Sequence, residues 1–185
     1  MSIMNELTTI IAQTTGYKNS RQMAANYVME HPELMNTFMR ICFEIDNEDH
    51  YKACWALELV AYEKLEWLQP YVPLICSKSK LLTNESAIRP VAKVLFLLLE
   101  AHYKTGNSSI QFTDVQRQEM IALHFDWLIT DCKVAAKVYA MRCLYLLGLE
   151  YQWIHPELQT ILIKDFSTHS AGYKAVSKHI LKKLK

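Results

Sequence analysis

Apolar and small residues recur along this chain at helical spacing. Five cations begin five such stretches: Arg21, Lys52, Arg89, Lys137 and Lys174. The residue three positions after each cation is mostly small, and the residue seven positions after it is always apolar. Because positions three and seven past a reference fall on one side of a helix, each stretch is predicted to be a helix that buries one face.

A second helix is predicted before each of these stretches. Pro32, Pro70 and Pro156 precede three of the cations by eighteen to twenty residues, where a proline suits a first helical turn because its missing N–H is not needed there. The pattern therefore predicts ten helices in five pairs, each with a first helix (A) and a second helix (B). The A helices are expected at residues 2–12, 32–45, 70–78, 113–129 and 156–166, and the B helices at residues 20–29, 50–62, 87–103, 133–149 and 171–184.

A Thr or Asp lies six positions before each cation. These residues are Thr15, Asp46, Thr83, Asp131 and Thr168. Measured from cation to cation, the units are thirty-one to forty-eight residues long. A recurrence of that length is typical of solenoids built from helix pairs.

This register resembles that of HEAT repeats, which are close relatives of armadillo repeats. In HEAT units an Asp in the turn between the two helices faces an Arg or Lys early in helix B. Asp46 with Lys52 and Asp131 with Lys137 match that pattern. The Thr variants keep an oxygen that can cap the turn but lose the charge. The resemblance implies an all-α fold, a right-handed α-α superhelix (solenoid) of about five HEAT-like helix pairs, as a single domain over residues 1–185. It also implies that substituting Lys52 or Lys137 costs stability rather than ligand affinity.

Proteins with such repeats generally bind a protein or peptide on the concave face lined by the B helices, so the resemblance implies that function here. Positions one, four and eight past each cation are expected to be open, and the middle of this strip is apolar, which suggests a peptide groove, a docked helix or a self-association surface. Alternatively, tight curvature buries the strip against itself. The candidate partner-binding residues are Gln22, Ala56, Lys93, Leu97, Met141, Tyr145 and Lys178.

Net charge gives no support to a dominant nucleic-acid or membrane-surface role, because twenty basic residues face nineteen acidic ones. A nucleic-acid-acting protein is the second function that the resemblance allows, since HEAT-like DNA glycosylases for alkylated bases use exposed aromatics with a carboxylate on a basic concave face. Asp126-Trp127 and Glu66-Trp67 supply such neighbours. The alternative is that these Trp side chains pack between helices.

Two further features each have two interpretations. Lys174, Lys178, Lys182 and Lys185 form one stripe on the last helix, which could hold an acidic partner or serve as the polar outer face of a terminal repeat. Residues 104–112 are the only stretch rich in Gly, Ser and Asn, which could be a binding loop or a tolerated surface insertion.

No motif for catalysis or for metal binding is found. The seven histidines are dispersed, and the chain has no His-Glu-x-x-His, no Cys-x-x-Cys and no Gly-rich phosphate loop. It also lacks the Ser-Ser-x-Met-Pro-x-Lys-x-Asn loop of adenylosuccinate lyases, so a lyase of that type is not predicted. We therefore expect no catalytic residue, no cofactor and no metal.

The sequence also predicts a cytoplasmic location. Residues 1–10 do not fit a secretory signal, and the longest purely apolar run, residues 94–99, is far short of the roughly twenty residues of a spanning helix. The five cysteines are odd in number and scattered, which is typical of reduced thiols. The expected partner is a protein or peptide rather than a membrane, and self-association is allowed.

Overall fold

The computed structural model describes residues 3–104 and 109–184, and this part of the chain is helical, with no strand. The all-α prediction is confirmed. Ten α-helices are described: α1 (Ile3–Gln13), α2 (Lys18–Glu30), α3 (Met35–Phe43), α4 (His50–Glu63), α5 (Val72–Ser79), α6 (Glu85–Tyr103), α7 (Asp114–Ile129), α8 (Val134–Leu147), α9 (Ile154–Asp165) and α10 (Ala171–Lys183).

Two of the predicted A helices begin with a tighter turn than expected. A 3-10 helix at Pro32–Leu34 precedes α3, and a second one at Leu65–Tyr71 precedes α5. Pro70 lies inside the second of these and has no N–H to donate to a carbonyl one turn earlier. The regular α-helical ladder of α5 therefore begins only at Val72.

The chain divides into two compact units, Met1–Val94 and Leu95–Lys185, and the boundary falls within α6. In the first unit α2 packs on α1 and α4, and α3 packs on α4 and α5. The interior of this unit includes Phe38, Met39 and Leu57, none of which has exposed surface.

In the second unit α8 is the central helix, and it contacts α7, α9 and α10. Its Leu144 is fully buried, as are Leu158 of α9 and Tyr173 of α10. An apolar face on each helix thus meets its neighbours, which is the arrangement that the helical spacing in the sequence requires.

The start of α7 is fixed by side chains. Thr113 Oγ1 accepts a hydrogen bond from Gln116 N at 3.3 Å, and Gln116 Oε1 accepts one from Thr113 N at 2.8 Å, which is a capping box. In the preceding segment Ile110 and Phe112 are buried. Of the Gly/Ser/Asn-rich stretch at 104–112, residues 105–108 lie outside the described residues.

Arg117 ties the first turn of α7 to its surroundings. Its Nη1 donates to Phe112 O at 2.6 Å, and its Nε lies 3.1 Å from Tyr151 Oη and 3.2 Å from Glu150 Oε2. The Tyr151 hydroxyl donates in turn to Asp114. This network holds the turn after α8 against the start of α7.

The register cations bond differently from the prediction. Lys137 is buried, and its Nζ donates to Leu128 O at 2.9 Å, in the last turn of α7. Lys52 pairs with Asp49 at 2.8 Å and donates to Ala12 O, in the last turn of α1. The expected pairs with Asp46 and Asp131 are therefore wrong. The last carbonyls of a helix lack intrahelical donors and attract cations, so each lysine reaches a helix end instead.

Gly148, at the end of α8, is required by a close approach. A Cβ at this position would lie 2.0 Å from Cδ2 of His155. The His155 Nε2 is 2.9 Å from Tyr145 O, so the ring lies against the C-terminal turn of α8. This contact sets where α9 begins relative to α8.

No α-helix in the described part of the chain combines the length and the apolar composition needed to cross a membrane.

Candidate binding groove

Three B helices of the second unit, α6, α8 and α10, enclose a groove of about 520 Å³. Apolar side chains of α10 and charged side chains from all three helices line it. We call it the B-helix groove, and its lining consists of Phe96, Glu100, Arg142, Tyr145, Leu146, Ala175, Val176, His179, Ile180 and Lys183.

Arg142 is an exposed cation that lies over aromatic rings in this groove. Its Cζ is 5.6 Å from the ring centroid of Phe96 and 5.9 Å from that of Tyr139. These two rings also contact one another, with centroids 5.9 Å apart. A guanidinium within about 6 Å of an aromatic centroid is attracted by the ring's negative face. Attraction to the Phe96 and Tyr139 rings therefore holds the Arg142 guanidinium at the groove.

A second cation, Lys183, lies over Tyr145, with its Nζ 5.1 Å from the ring centroid. The Tyr145 ring also stacks on His155, at 5.5 Å between centroids and 19° between planes. Because His155 is itself bonded to Tyr145 O, the ring that supports Lys183 has a fixed orientation.

The groove carries more positive than negative charge. Arg142 and Lys183 are exposed cations, and among the described residues Glu100 is the one carboxylate in the lining. The apolar part of the lining comes from Phe96 of α6, Leu146 of α8, and Ala175 and Val176 of α10. Such a groove can bind an apolar side chain and an adjacent anion together.

In the first unit, the predicted surface residues lie in different environments. Ala56 has no exposed surface, so its assignment as partner-binding is wrong. Gln22 is half-buried and donates to Asn26 Oδ1 at 2.9 Å. Lys93 is half-buried, with Nζ 4.6 Å from the Tyr62 ring centroid and 3.9 Å from Glu58 Oε1.

In the second unit, Tyr145 lines the B-helix groove, whereas Met141 is fully buried, so the expectation that Met141 is open is wrong. Its sulfur is 3.6 Å from Ser177 Oγ of α10, because these two helices pack closely at that level. Leu97 is half-buried and is not part of the groove lining. Lys178 is exposed and lines a different groove, between α9 and α10.

The predicted open positions include Tyr145 and Ala175 of the groove lining but miss its basic residues, which lie one position further along. Arg142 and His179 each follow their unit's cation by five residues, and Lys183 follows Lys174 by nine. The prediction used positions one, four and eight. A polar or charged residue five positions after a cation, one residue past the expected open position, is the signal that could have identified them.

The tryptophans divide between packing and exposure. Trp127 is 6% exposed, so the Asp126-Trp127 pair does not present an exposed ring. Trp55 is half-buried and donates to Ser86 O at 3.0 Å, and Trp67 is half-buried with Lys64 Nζ 5.7 Å from its ring. Trp153 is 53% exposed and stacks on another ring, that of Phe125, at 5.9 Å.

A cluster of two thiols and an imidazole lies in the first unit. His50 Nδ1 and Cys54 Sγ lie 3.4 and 3.3 Å from Cys42 O. A hydrogen bond from the Cys42 thiol, together with His50, lowers the pKa of Cys54 to about 7, and burial raises the pKa of Cys42. Both cysteines have no exposed surface. Buried thiols of this kind are structural rather than reactive, so this cluster is not the candidate site.

Within residues 3–104 and 109–184, no group of three or more His, Cys, Asp or Glu side chains could hold a metal ion. In comparisons with known proteins, the chain matches no family profile, no curated protein and no solved structure. The helical fold and the B-helix groove are therefore the features that bear on function.

Proposed function

We propose that this chain is a cytoplasmic, non-enzymatic HEAT-like repeat protein, and that its B-helix groove binds an acidic segment of a partner protein. The array would be a right-handed α-α superhelix of about five helix pairs. The observation that carries the proposal is the groove itself, in which Arg142 and Lys183 lie over aromatic rings beside an apolar lining.

Helix neighbours within each unit support the repeat architecture. In the first unit the A and B helices of a pair contact each other (α1 with α2, α3 with α4), α2 contacts α4, and α3 contacts α5. In the second unit the pairs are α7 with α8 and α9 with α10, and α8 contacts α10. Contacts of A with A and B with B are what stacked helix pairs produce.

The chemistry of the lining indicates what kind of segment binds. An aliphatic or aromatic side chain of the partner would lie against Ala175 and Val176, with a carboxylate beside Arg142 or Lys183. Because exposed ion pairs contribute only about 0.2–1 kcal/mol each, most of the affinity would come from the apolar contact. The cations would select an acidic sequence and accelerate association. Glu100 disfavours a second carboxylate at its end of the groove.

A peptide selection tests this proposal directly. The full chain selects binders from a displayed library of random peptides, and their affinities are measured by fluorescence anisotropy at low salt. Peptides with Asp or Glu next to an apolar residue should be enriched, and Arg142→Glu with Lys183→Glu should weaken them about tenfold or more.

The matched control is Lys18→Glu with Lys80→Glu, which makes the same change in net charge at two exposed lysines of the first unit. It should alter affinity less than about twofold. Binders that lose equal affinity in both double variants, or that carry no acidic preference, would contradict the proposal. The same assay includes labelled single-stranded and duplex DNA. DNA that binds more tightly than any peptide, and is released by the groove variant, would favour the nucleic-acid alternative.

A further inference from the structure

A second groove in the same unit lies between α9 and α10, with a volume of about 850 Å³. We call it the α9–α10 groove. Its apolar surface comes from Ile163 of α9, from Phe166 at the C-cap of that helix, and from Leu181 of α10. Ile163 is 61% exposed, which is high for a large aliphatic side chain next to other apolar groups. Adjacent exposed apolar side chains of this kind indicate a contact surface.

This groove is separate from the B-helix groove. The α10 residues of the B-helix groove include His179 and Lys183, whereas those of the α9–α10 groove are Lys178, Leu181 and Lys182. At 100° per residue the centres of the two sets lie roughly 140° apart around the helix, with Lys182 and Ala175 on neighbouring edges. The two grooves share no lining residue.

The shape of the α9–α10 groove fits a helix. Gln159 and Ile163 of α9 and Phe166, the helical C-cap residue directly after it, follow the spacing i, i+4, i+7, which covers about two turns or roughly 10 Å of helix axis. Two packed helices that present such stripes leave a trough between them. A third helix can lay an apolar stripe into that trough, as in known helix-in-groove complexes.

The charge at the rim of the α9–α10 groove indicates what kind of helix would bind there. Lys178 and Lys182 are exposed and one turn apart on α10, and no carboxylate lines the groove within residues 3–104 and 109–184. Acidic side chains spaced by four residues on the incoming helix would have the same separation as these two ammonium groups. A basic helix would meet like charges there. The rim therefore complements a helix with an apolar stripe and an acidic flank.

We propose that the α9–α10 groove binds an amphipathic, acidic helix of a partner protein, through the apolar side chains of Ile163, Phe166 and Leu181 and through Lys178 and Lys182. An anionic lipid surface is less well matched, because only Ile163 of the three apolar side chains is exposed, whereas Phe166 and Leu181 are half-buried. Peripheral helices that bind lipid instead project their apolar residues into the bilayer interface.

The test uses two synthetic helical peptides of about 14 residues, or roughly 20 Å. They share one stripe of Leu residues, and one has Glu on the flanks where the other has Lys. Binding to the full chain is measured by fluorescence anisotropy. The Glu peptide should bind at least about tenfold more tightly than the Lys peptide, and Ile163→Asp should abolish that binding. Because Ile163 is exposed, this variant should melt at the same temperature as the wild type.

A charge exchange provides the second arm. Lys178→Glu with Lys182→Glu should reverse the preference, so that the Lys peptide binds more tightly than the Glu peptide. Arg142→Glu with Lys183→Glu is the control and should leave both affinities unchanged. Its separate effect on the B-helix groove distinguishes failure of this proposal from failure of the proposed function.

Three results would overturn the inference. The first is binding of the Glu peptide with no loss of affinity in Ile163→Asp. The second is binding of anionic phospholipid vesicles through these residues when neither peptide binds. A sedimentation experiment in which Ile163→Asp converts a dimer to a monomer would assign the groove to a second copy of the chain.

Discussion

Replacement of Lys137 by Met tests whether a register cation stabilises the fold through a helix end. The Lys137 side chain is buried, and its ammonium donates to Leu128 O at 2.9 Å in the last turn of α7. Met keeps an unbranched side chain of similar length, so packing of the stem is largely retained. The substitution removes the charge and the donor.

The expected cost follows from those two losses. A hydrogen bond from a charged group contributes about 1.5–3 kcal/mol, and a cation at a helix C-terminus adds about 0.3–1 kcal/mol. We therefore expect Lys137→Met to lower the free energy of unfolding by about 2–4 kcal/mol. For a chain of this size, each 1 kcal/mol lowers the melting temperature by about 2–4 °C.

The assay is urea unfolding followed by circular dichroism, with the slope of free energy against urea compared between variants. Lys174→Met is the matched control, because Lys174 has the same register position, is half-buried, and makes no side-chain hydrogen bond within the described part of the chain. This control should change the free energy by less than about 0.5 kcal/mol.

A neutral or stabilising effect of Lys137→Met would refute the reasoning. It would mean that burying the ammonium costs as much as its bond to the carbonyl contributes, as happens for some buried ion pairs. An equal loss of stability in both variants would also refute it, because of these two lysines only Lys137 bonds to a helix end.

Two further predictions concern the second unit. Burial lowers the pKa of His124 to about 4, below the roughly 6.5 of the unfolded chain, so the unfolded state takes up the proton first as the pH falls. The stability contributed by neutral His124 is complete above about pH 6.5, and about 3 kcal/mol of it is lost by about pH 4. In urea titrations over this range, His124→Leu should lose less stability than the wild type, and parallel curves would exclude His124 as the cause. Arg117→Ala, which leaves Phe112 O and Glu150 without their shared donor, should cost about 2–4 kcal/mol in urea unfolding. Arg40 is exposed, so the control Arg40→Ala should lower the free energy of unfolding by less than about 0.5 kcal/mol. A loss in Arg117→Ala no larger than that of the control would mean that the Arg117 network contributes nothing to stability.

Helix positions could be predicted from the sequence because helix periodicity is a local property. All ten predicted helices correspond to α-helices of the structure. The face that each helix buries was harder to predict. In α4, Ala53, Ala56 and Val60 are buried together with Ala61 and Cys54. A helix that is apolar on all sides is buried on most of them, and its spacing alone does not single out an open strip. The sequence left open whether positions one, four and eight past each cation are open or buried. In α4 these positions are buried.

The partners of the register cations could not be predicted for a different reason. Lys52 and Lys137 bond to backbone carbonyls at the ends of α1 and α7. Every residue has a carbonyl, so such an acceptor has no sequence signature, whereas the carboxylates of Asp46 and Asp131 are visible in the sequence. The charges of the B-helix groove were visible too, but their assignment to one surface needed the packing of α6, α8 and α10.

The close approach of His155 to Gly148 links two positions that are seven residues apart. Any larger residue at position 148 would meet the imidazole, so His155 would have to turn away or be replaced by a smaller residue. That change would remove the contact with Tyr145 O and the ring on which Tyr145 stacks, and with it the fixed support beneath Lys183. In an evolving lineage these two positions are therefore constrained to be retained or replaced as a pair, and replacement would be followed by change at the groove.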